Sequence, residues 1–211
     1  MGLSTSEIWR LVHEERAQLA DDLSALPAPR WATPSLCEGW SVHDVLAHLL
    51  ETALTGRLAF AWSMVRAKGD FDRANENGVL RYRHPDPSQT LAAFREAGPL
   101  QRTPPAHRAT RLVEAIVHGE DIRGPLGIEA TYPSAAIHEA LDYQLRTKVS
   151  FGGGRERAQG VRLVDAATDQ TWGTGPEVTG RPVDLLMAVS GRPVGDGLLT
   201  GPGAPQLAAG T

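Results

Sequence analysis

The sequence predicts a mostly helical protein, a four-helix bundle followed by a small C-terminal α+β part. Three observations lead there. Apolar residues recur at helical spacing in several long segments, and proline and glycine clusters separate those segments. After Gly152, Gly153 and Gly154 the pattern changes to short alternating runs. The expected division is therefore a helical bundle over 1–151 and a small α+β domain over 152–211.

Ile8, Leu11, Val12, Leu19 and Leu23 mark a first amphipathic helix from about Ser4 to Leu26, stopped by Pro27 and Pro29. RWATPSLCEGW then carries Pro34 and Gly39 and reads as a loop delivering Trp40 to a second helix. That helix opens on Ser41 as N-cap, with Asp44 at the third position, and can run to about Ala67. FDRANENGVLRYRHPDPSQT is polar and interrupted by Gly78, Pro85 and Pro87, so it reads as irregular chain before a short third helix, LAAFREAG. A fourth helix follows Pro104 and Pro105 and ends near Gly124 and Pro125; a fifth follows Pro133 and runs to about Phe151. Four long helices of this kind make the bundle. Beyond them GVRLVDAATDQTWGTG alternates like a short hairpin, PVDLLMAVSGR is a compact helix ending at Gly191, and the tail GPGAPQLAAGT reads as loose.

Composition excludes several functions. The net charge of −4, with both signs interspersed, is not the footprint of a nucleic-acid binder. No stretch is apolar for long enough to span a bilayer. The N-terminal segment lacks an uninterrupted apolar run and reads as the first helix rather than a signal peptide. Cys37 is the single cysteine, so no intrachain disulfide forms and a reducing cytoplasm is the expected compartment. Any thiol chemistry then draws on a thiol from outside. Small molecules are the expected partners; the oligomeric state is not legible.

Candidate chemistry lies on two helices. In ATRLVEAIVHGEDIRGPLG, His118 follows Glu114 by four residues, which stacks both on one helical face. His48, in SVHDVLAHLLETALTGRLAFAW, can supply a third ligand from the second helix. Two imidazoles and one carboxylate leave a fourth position open, as catalytic zinc requires. The competing reading is an ordinary solvated edge, since Arg111, Glu114, His118 and Asp121 border an apolar arc of Leu112, Val113, Ile116 and Val117. Asp44, one turn before His48, is either a carboxylate orienting that histidine or simply a helix-start acid. Cys37 near His43 offers a third reading, a cysteine enzyme, against that of a small buried hydrophobe. His13 and His138 read as solvated residues, and His84 and His107 as loop residues.

The runs W-x-T-P-S-L-C-E-G-W-S-V-H-D-V-L-A-H-L from Trp31 to Leu49, V-E-A-I-V-H-G-E-D-I-R from Val113 to Arg123, and G-R-P-V-D-L-L-M-A-V-S-G-R from Gly180 to Arg192 resemble the mycothiol-dependent maleylpyruvate isomerase family of the DinB-like metalloprotein superfamily. The resemblance implies a DinB-like four-helix bundle holding a divalent metal, zinc, on His48, Glu114 and His118. It also implies mycothiol as cosubstrate, a sterol-carrier-like C-terminal domain, and a catalytic arginine there, for which Arg192 is the match. Arg192 alternatively complements a helix C-terminus. Arg81, Arg83 and Arg111 are further candidates for substrate carboxylates. Isomerase and thiol S-transferase share these ligands, and a non-catalytic DinB-like metal-binding or small-molecule-binding protein is the alternative to both. Two features depart from the family pattern: a shorter segment before the Glu-x-x-x-His helix and a minimal C-terminal domain.

Overall fold

Two serine caps start the helices that matter most. Ser4 opens α1 (Thr5–Asp22) and Ser41 opens α2 (Val42–Leu54), each in a capping box with an acid at the third helical position, Glu7 and Asp44. The computed structural model describes residues 2–208. It is mostly helical, with a small three-stranded sheet near the C-terminus. Among the described residues no helix is long and apolar enough to cross a membrane.

The chain forms two units, Ser4–Ala130 and Thr131 onward together with Gly2 and Leu3. In the first unit, α1 and α2 are followed by α3 (Arg57–Arg66), α4 (Phe71–Tyr82), α5 (Pro87–Ala97) and α6 (Thr110–Leu126). α1 and α2 each pack on both α5 and α6, which makes a four-helix arrangement. Its core includes Leu19 of α1 and Leu23 at its C-cap, Leu46 and Leu50 of α2, Phe94 of α5 and Ile122 of α6.

Two local expectations change. The second helix stops at Leu54 because Thr55 is extended, and Gly56 caps a separate α3 none of whose residues is buried. The segment expected to be irregular contains α4. Gly78, read as a breaker, is instead a packing residue: a Cβ there would lie 2.9 Å from Glu51 Cγ, so its absence lets α4 approach α2 closely.

The helix expected to complete the bundle, α7 (Ser134–Arg146), belongs to the second unit, and α5 takes its place. α7 packs on α8 (Pro182–Val189), with Gln144 Nε2 donating to Ser190 Oγ at 3.0 Å. The structural boundary thus falls near residue 130 rather than at 151/152. Leu3 N, donating to Glu139 Oε2 at 3.0 Å, ties the N-terminus to this unit.

β1 (Arg162–Asp165) and β2 (Thr171–Gly173) form the expected antiparallel hairpin, while β3 (Glu177–Gly180) adds parallel to β1 on its other side. The tail is not loose as far as residue 208: Thr200 pairs with Thr179, and α9 (Ala204–Ala208) buries Leu207. Residues 209–211 of that tail lie outside the described residues. His138 is not a solvated residue either; its Nε2 is 2.9 Å from Oδ2 of the fully buried Asp165.

α6 is fastened to α1 by a buried arginine. Arg123 has no solvent exposure and donates to Glu15 Oε1 at 2.5 Å and to Asp22 Oδ2 at 2.8 Å. Removing the cation leaves two largely buried carboxylates facing an apolar gap. Arg123→Ala is expected to destabilise the protein by about 3 to 5 kcal/mol in urea unfolding; a loss under about 1 kcal/mol, the scale of an exposed ion pair, would refute that role.

Candidate metal centre

The site grows from the facing surfaces of α2 and α6, which run antiparallel within the first unit. His48 meets His118 with ring centroids 4.9 Å apart and planes at 84°. Toward the other end of the contact Arg111 Nη2 donates to Thr55 O at 3.4 Å. Helical spacing therefore lines Arg111, Glu114, His118 and Asp121 along one face of α6, opposite α2. Trp40 packs on His48 at 5.2 Å between centroids.

The loop before α2 brings a third element to the site. Ser35 N donates to Trp40 O at 2.9 Å and Val42 N to Thr33 O at 2.9 Å, closing the loop on itself. Gly39, at φ +77, supplies the left-handed turn needed to bring the chain back. Leu36 N then donates to Asp121 O at 3.1 Å, which docks the loop on α6 and sets Cys37 beside it.

Asp121 is the hub. Its side chain has no solvent exposure, accepts from Cys37 Sγ at 3.0 Å, and lies 2.9 Å from His118 Nδ1 through the same Oδ2. Burial alone would disfavour a charged His118, but the hydrogen bonds to Asp121 and Cys37 outweigh it and push the imidazole up to about 10. Cys37, His118 and Asp121 keep their donor atoms within 4.8 Å of one another and could hold a metal ion.

Glu114 lies on the same face, half-buried, and one of its carboxylate oxygens accepts from Nη1 of the buried Arg111. Arg111 is anchored in turn by donating through Nε to Arg102 O at 3.0 Å. A carboxylate can serve an arginine and a metal together, since it has about four acceptor positions. Of the residues expected at the site, His48 and His118 are brought together edge to face, whereas Glu114 is held by Arg111 and does not join them in a donor cluster. Arg192 lies just past α8 in the second unit, where its Nη1 donates to Ser190 O at 3.4 Å.

Other sequence alternatives resolve. Both oxygens of Asp44 are engaged, Oδ2 by Ser41 N at 2.9 Å and Oδ1 by Arg83 Nε at 2.7 Å, so Asp44 is a helix-start acid. His43 does not pair with Cys37; its Nε2 is 2.9 Å from Thr90 Oγ1. Cys37 faces His118 at 3.7 Å, but through the nitrogen Nδ1 that Asp121 also holds. A relay needs the two ring nitrogens to face different partners, so these residues do not form a cysteine-enzyme triad. Asp121 escaped the sequence reading as a functional residue, although its position three residues after His118 on the same face was the available signal.

The comparisons agree with this architecture. Residues 12–101 match the family described as Mycothiol maleylpyruvate isomerase N-terminal domain, a segment that includes His48 and ends before α6. A crystal structure of the mycothiol-dependent maleylpyruvate isomerase is similar to this chain with a TM-score of 0.65 at 18% identity, covering 95% of this chain and 93% of that one. A mutant of that enzyme with a histidine replaced by alanine gives a TM-score of 0.64 at 16% identity over the same shares. No curated protein sequence matches the chain. The helical unit is thus similar over residues 12–101 to the mycothiol maleylpyruvate isomerase N-terminal domain family.

Proposed function

We propose that this protein is a thiol-dependent isomerase that holds a divalent metal, zinc by the family resemblance, on His48, Glu114 and His118. The substrate we infer is a maleylpyruvate-like unsaturated diacid, with mycothiol as cosubstrate; the family match and the names of the similar structures support both. One observation carries the reading: two imidazoles from different helices meet edge to face, and a buried carboxylate holds Nδ1 of one of them.

The donor set fits such an ion, because imidazole and carboxylate are the ligands zinc takes at catalytic sites. When bound, the metal supplies Lewis acidity that lowers the pKa of a thiol or water beside it. The chain's residues do the positioning. Asp121 holds the proton of His118 on Nδ1 and so presents Nε2 as a lone-pair donor. Trp40 covers His48 and shields one side of the site from water. Glu114 contributes charge that it shares with Arg111, which keeps the carboxylate fixed in orientation.

The reaction needs no redox chemistry. A thiolate adds across the conjugated double bond, the former double bond rotates as a single bond, and the thiolate leaves the trans isomer behind. A transferase would stop at the adduct, with a proton completing it. Of the arginines open to substrate carboxylates, Arg83 and Arg111 already face acids of the chain, and Arg192 remains the proposed catalytic arginine.

A second reading, a metal-binding protein without turnover, is favoured by the convergence of Cys37, His118 and Asp121. That set uses Nδ1 of His118, and the proposed set uses Nε2. Elemental mass spectrometry on untagged protein separates them. The parent is expected to carry about one metal per chain, His48→Ala and Glu114→Ala to lose it, and Cys37→Ser to keep it together with mycothiol-dependent maleylpyruvate isomerisation. Asp121→Asn is expected to weaken metal binding roughly 10- to 100-fold. Metal lost in Cys37→Ser and kept in His48→Ala would establish the second reading instead.

Proton and metal compete for His118. Its folded pKa, about 10, lies above the ordinary 6.5, so its contribution to stability is complete below pH 6.5 and is lost as the pH rises through about 10. Chelator-stripped protein should show a urea midpoint that falls across that window, and Asp121→Asn a flatter profile. Parallel profiles would mean that Asp121 does not govern His118.

A further inference from the structure

The helical unit carries a second concavity that the isomerase reading leaves unused. It is a groove of about 810 Å³ between the start of α1, the break separating α2 from α3, and the connection from α5 to α6. Trp9, Leu54 and Leu58 form its apolar wall, and Arg57, Arg102 and Arg108 also line it. None of the residues of the candidate metal centre lines it. Leu54 lies six residues past His48 on α2, about 9 Å along the helix at 1.5 Å per residue.

The charge of this groove runs against that of the chain. The protein carries a net charge of −4, yet no aspartate or glutamate lines the groove. Arg102 is held in place by donating to Leu54 O at 2.7 Å. Among the described residues the guanidinium groups of Arg57 and Arg108 have no hydrogen-bond or ion-pair partner, unlike Arg83, Arg95 and Arg123, which face acids. Uncompensated cations lining a concave surface are what an anion requires.

The apolar side continues outward. Leu58, Trp62 and Val65 of α3 are 89%, 64% and 70% exposed, and their spacing places them on one helical face leading away from the groove. A simple inorganic anion would leave that surface unused. A second copy of the chain does not suit it, because residues 57–68 hold Arg57, Arg66 and Lys68 and no acid, so self-pairing would oppose like charges. A helix of 10 residues also offers far less than the roughly 800 Å² per partner of a stable interface. What matches both halves is a molecule with an anionic head and an apolar tail, and the groove's volume lies in the range of small-molecule sites.

We propose that this groove is a second ligand site, taking a small amphipathic anion whose carboxylate or phosphate head sits among Arg57, Arg102 and Arg108 and whose tail follows Trp9, Leu54 and Leu58 toward the α3 stripe. Isothermal titration of the full chain with octanoate, octyl phosphate, octanol and acetate tests it. Saturable binding of at least one of the two amphipathic anions is expected, with octanol and acetate each weaker by about tenfold or more, and the tighter of the two anions identifies the head. The double variant Arg57→Glu/Arg108→Glu should lose about tenfold or more in affinity while its circular dichroism and metal content stay those of the parent, since both side chains are exposed. Leu58→Glu should weaken octanoate and leave acetate unchanged. Octanol binding as tightly as octanoate, affinity unmoved by the arginine changes, or no saturable binding of either anion would overturn the proposal.

Discussion

A carboxylate with no access to solvent persists only where donors converge on it, and Asp121 is that group here. Its Oδ2 gathers Cys37 Sγ and His118 Nδ1, and its backbone carbonyl takes Leu36 N. Through one residue the α6 face, the loop before α2 and the orientation of His118 become parts of a single hydrogen-bonded unit. Because His118 in turn faces His48, the arrangement of both imidazoles rests on this buried charge.

α6 connects that unit to the rest of the bundle. The face carrying Arg111, Glu114, His118 and Asp121 looks toward α2, while Arg123, two residues beyond Asp121, faces α1 and its two acids. On the α1 side the charge of Arg123 is matched by acids of the neighbouring helix, which fixes the register of α6 against α1, while on the α2 side Arg111 pairs with Glu114 and His118 with Asp121 within α6 itself. Apolar packing of Leu46, Leu50, Phe94 and Ile122 supplies the bulk of the stabilisation but is less selective about register.

Legibility in the sequence followed the range of the interactions involved. Ser41 with Asp44 is a local signal, and α2 starts where that pair placed it. The Glu114 and His118 pair, also local, lies on one helix as its spacing demands. Gly78 misled because a glycine that breaks a helix and one that admits a neighbour look alike until the neighbour, Glu51, is known. α7 misled because its periodicity shows an apolar stripe but not which unit covers it; the answer lay in the residues of α8 some 40 positions away. Asp121 stood on the correct helical face, yet its burial depends on Cys37 and on the closure of a loop that no local pattern announces.

Two kinds of site thus share the helical unit: a cluster of donors around His118 at one part of the α2–α6 contact, and an arginine-lined groove further along α2. The central claim is that His118 offers its Nε2 to a metal while Asp121 and Cys37 remain outside the coordination sphere. X-ray absorption at the zinc edge, on full-length protein loaded with zinc in thiol-free buffer, tests this most directly. Nitrogen and oxygen neighbours at about 2.0–2.2 Å with no sulfur are expected, whereas a sulfur neighbour at about 2.3 Å would make Cys37 a ligand and contradict the claim.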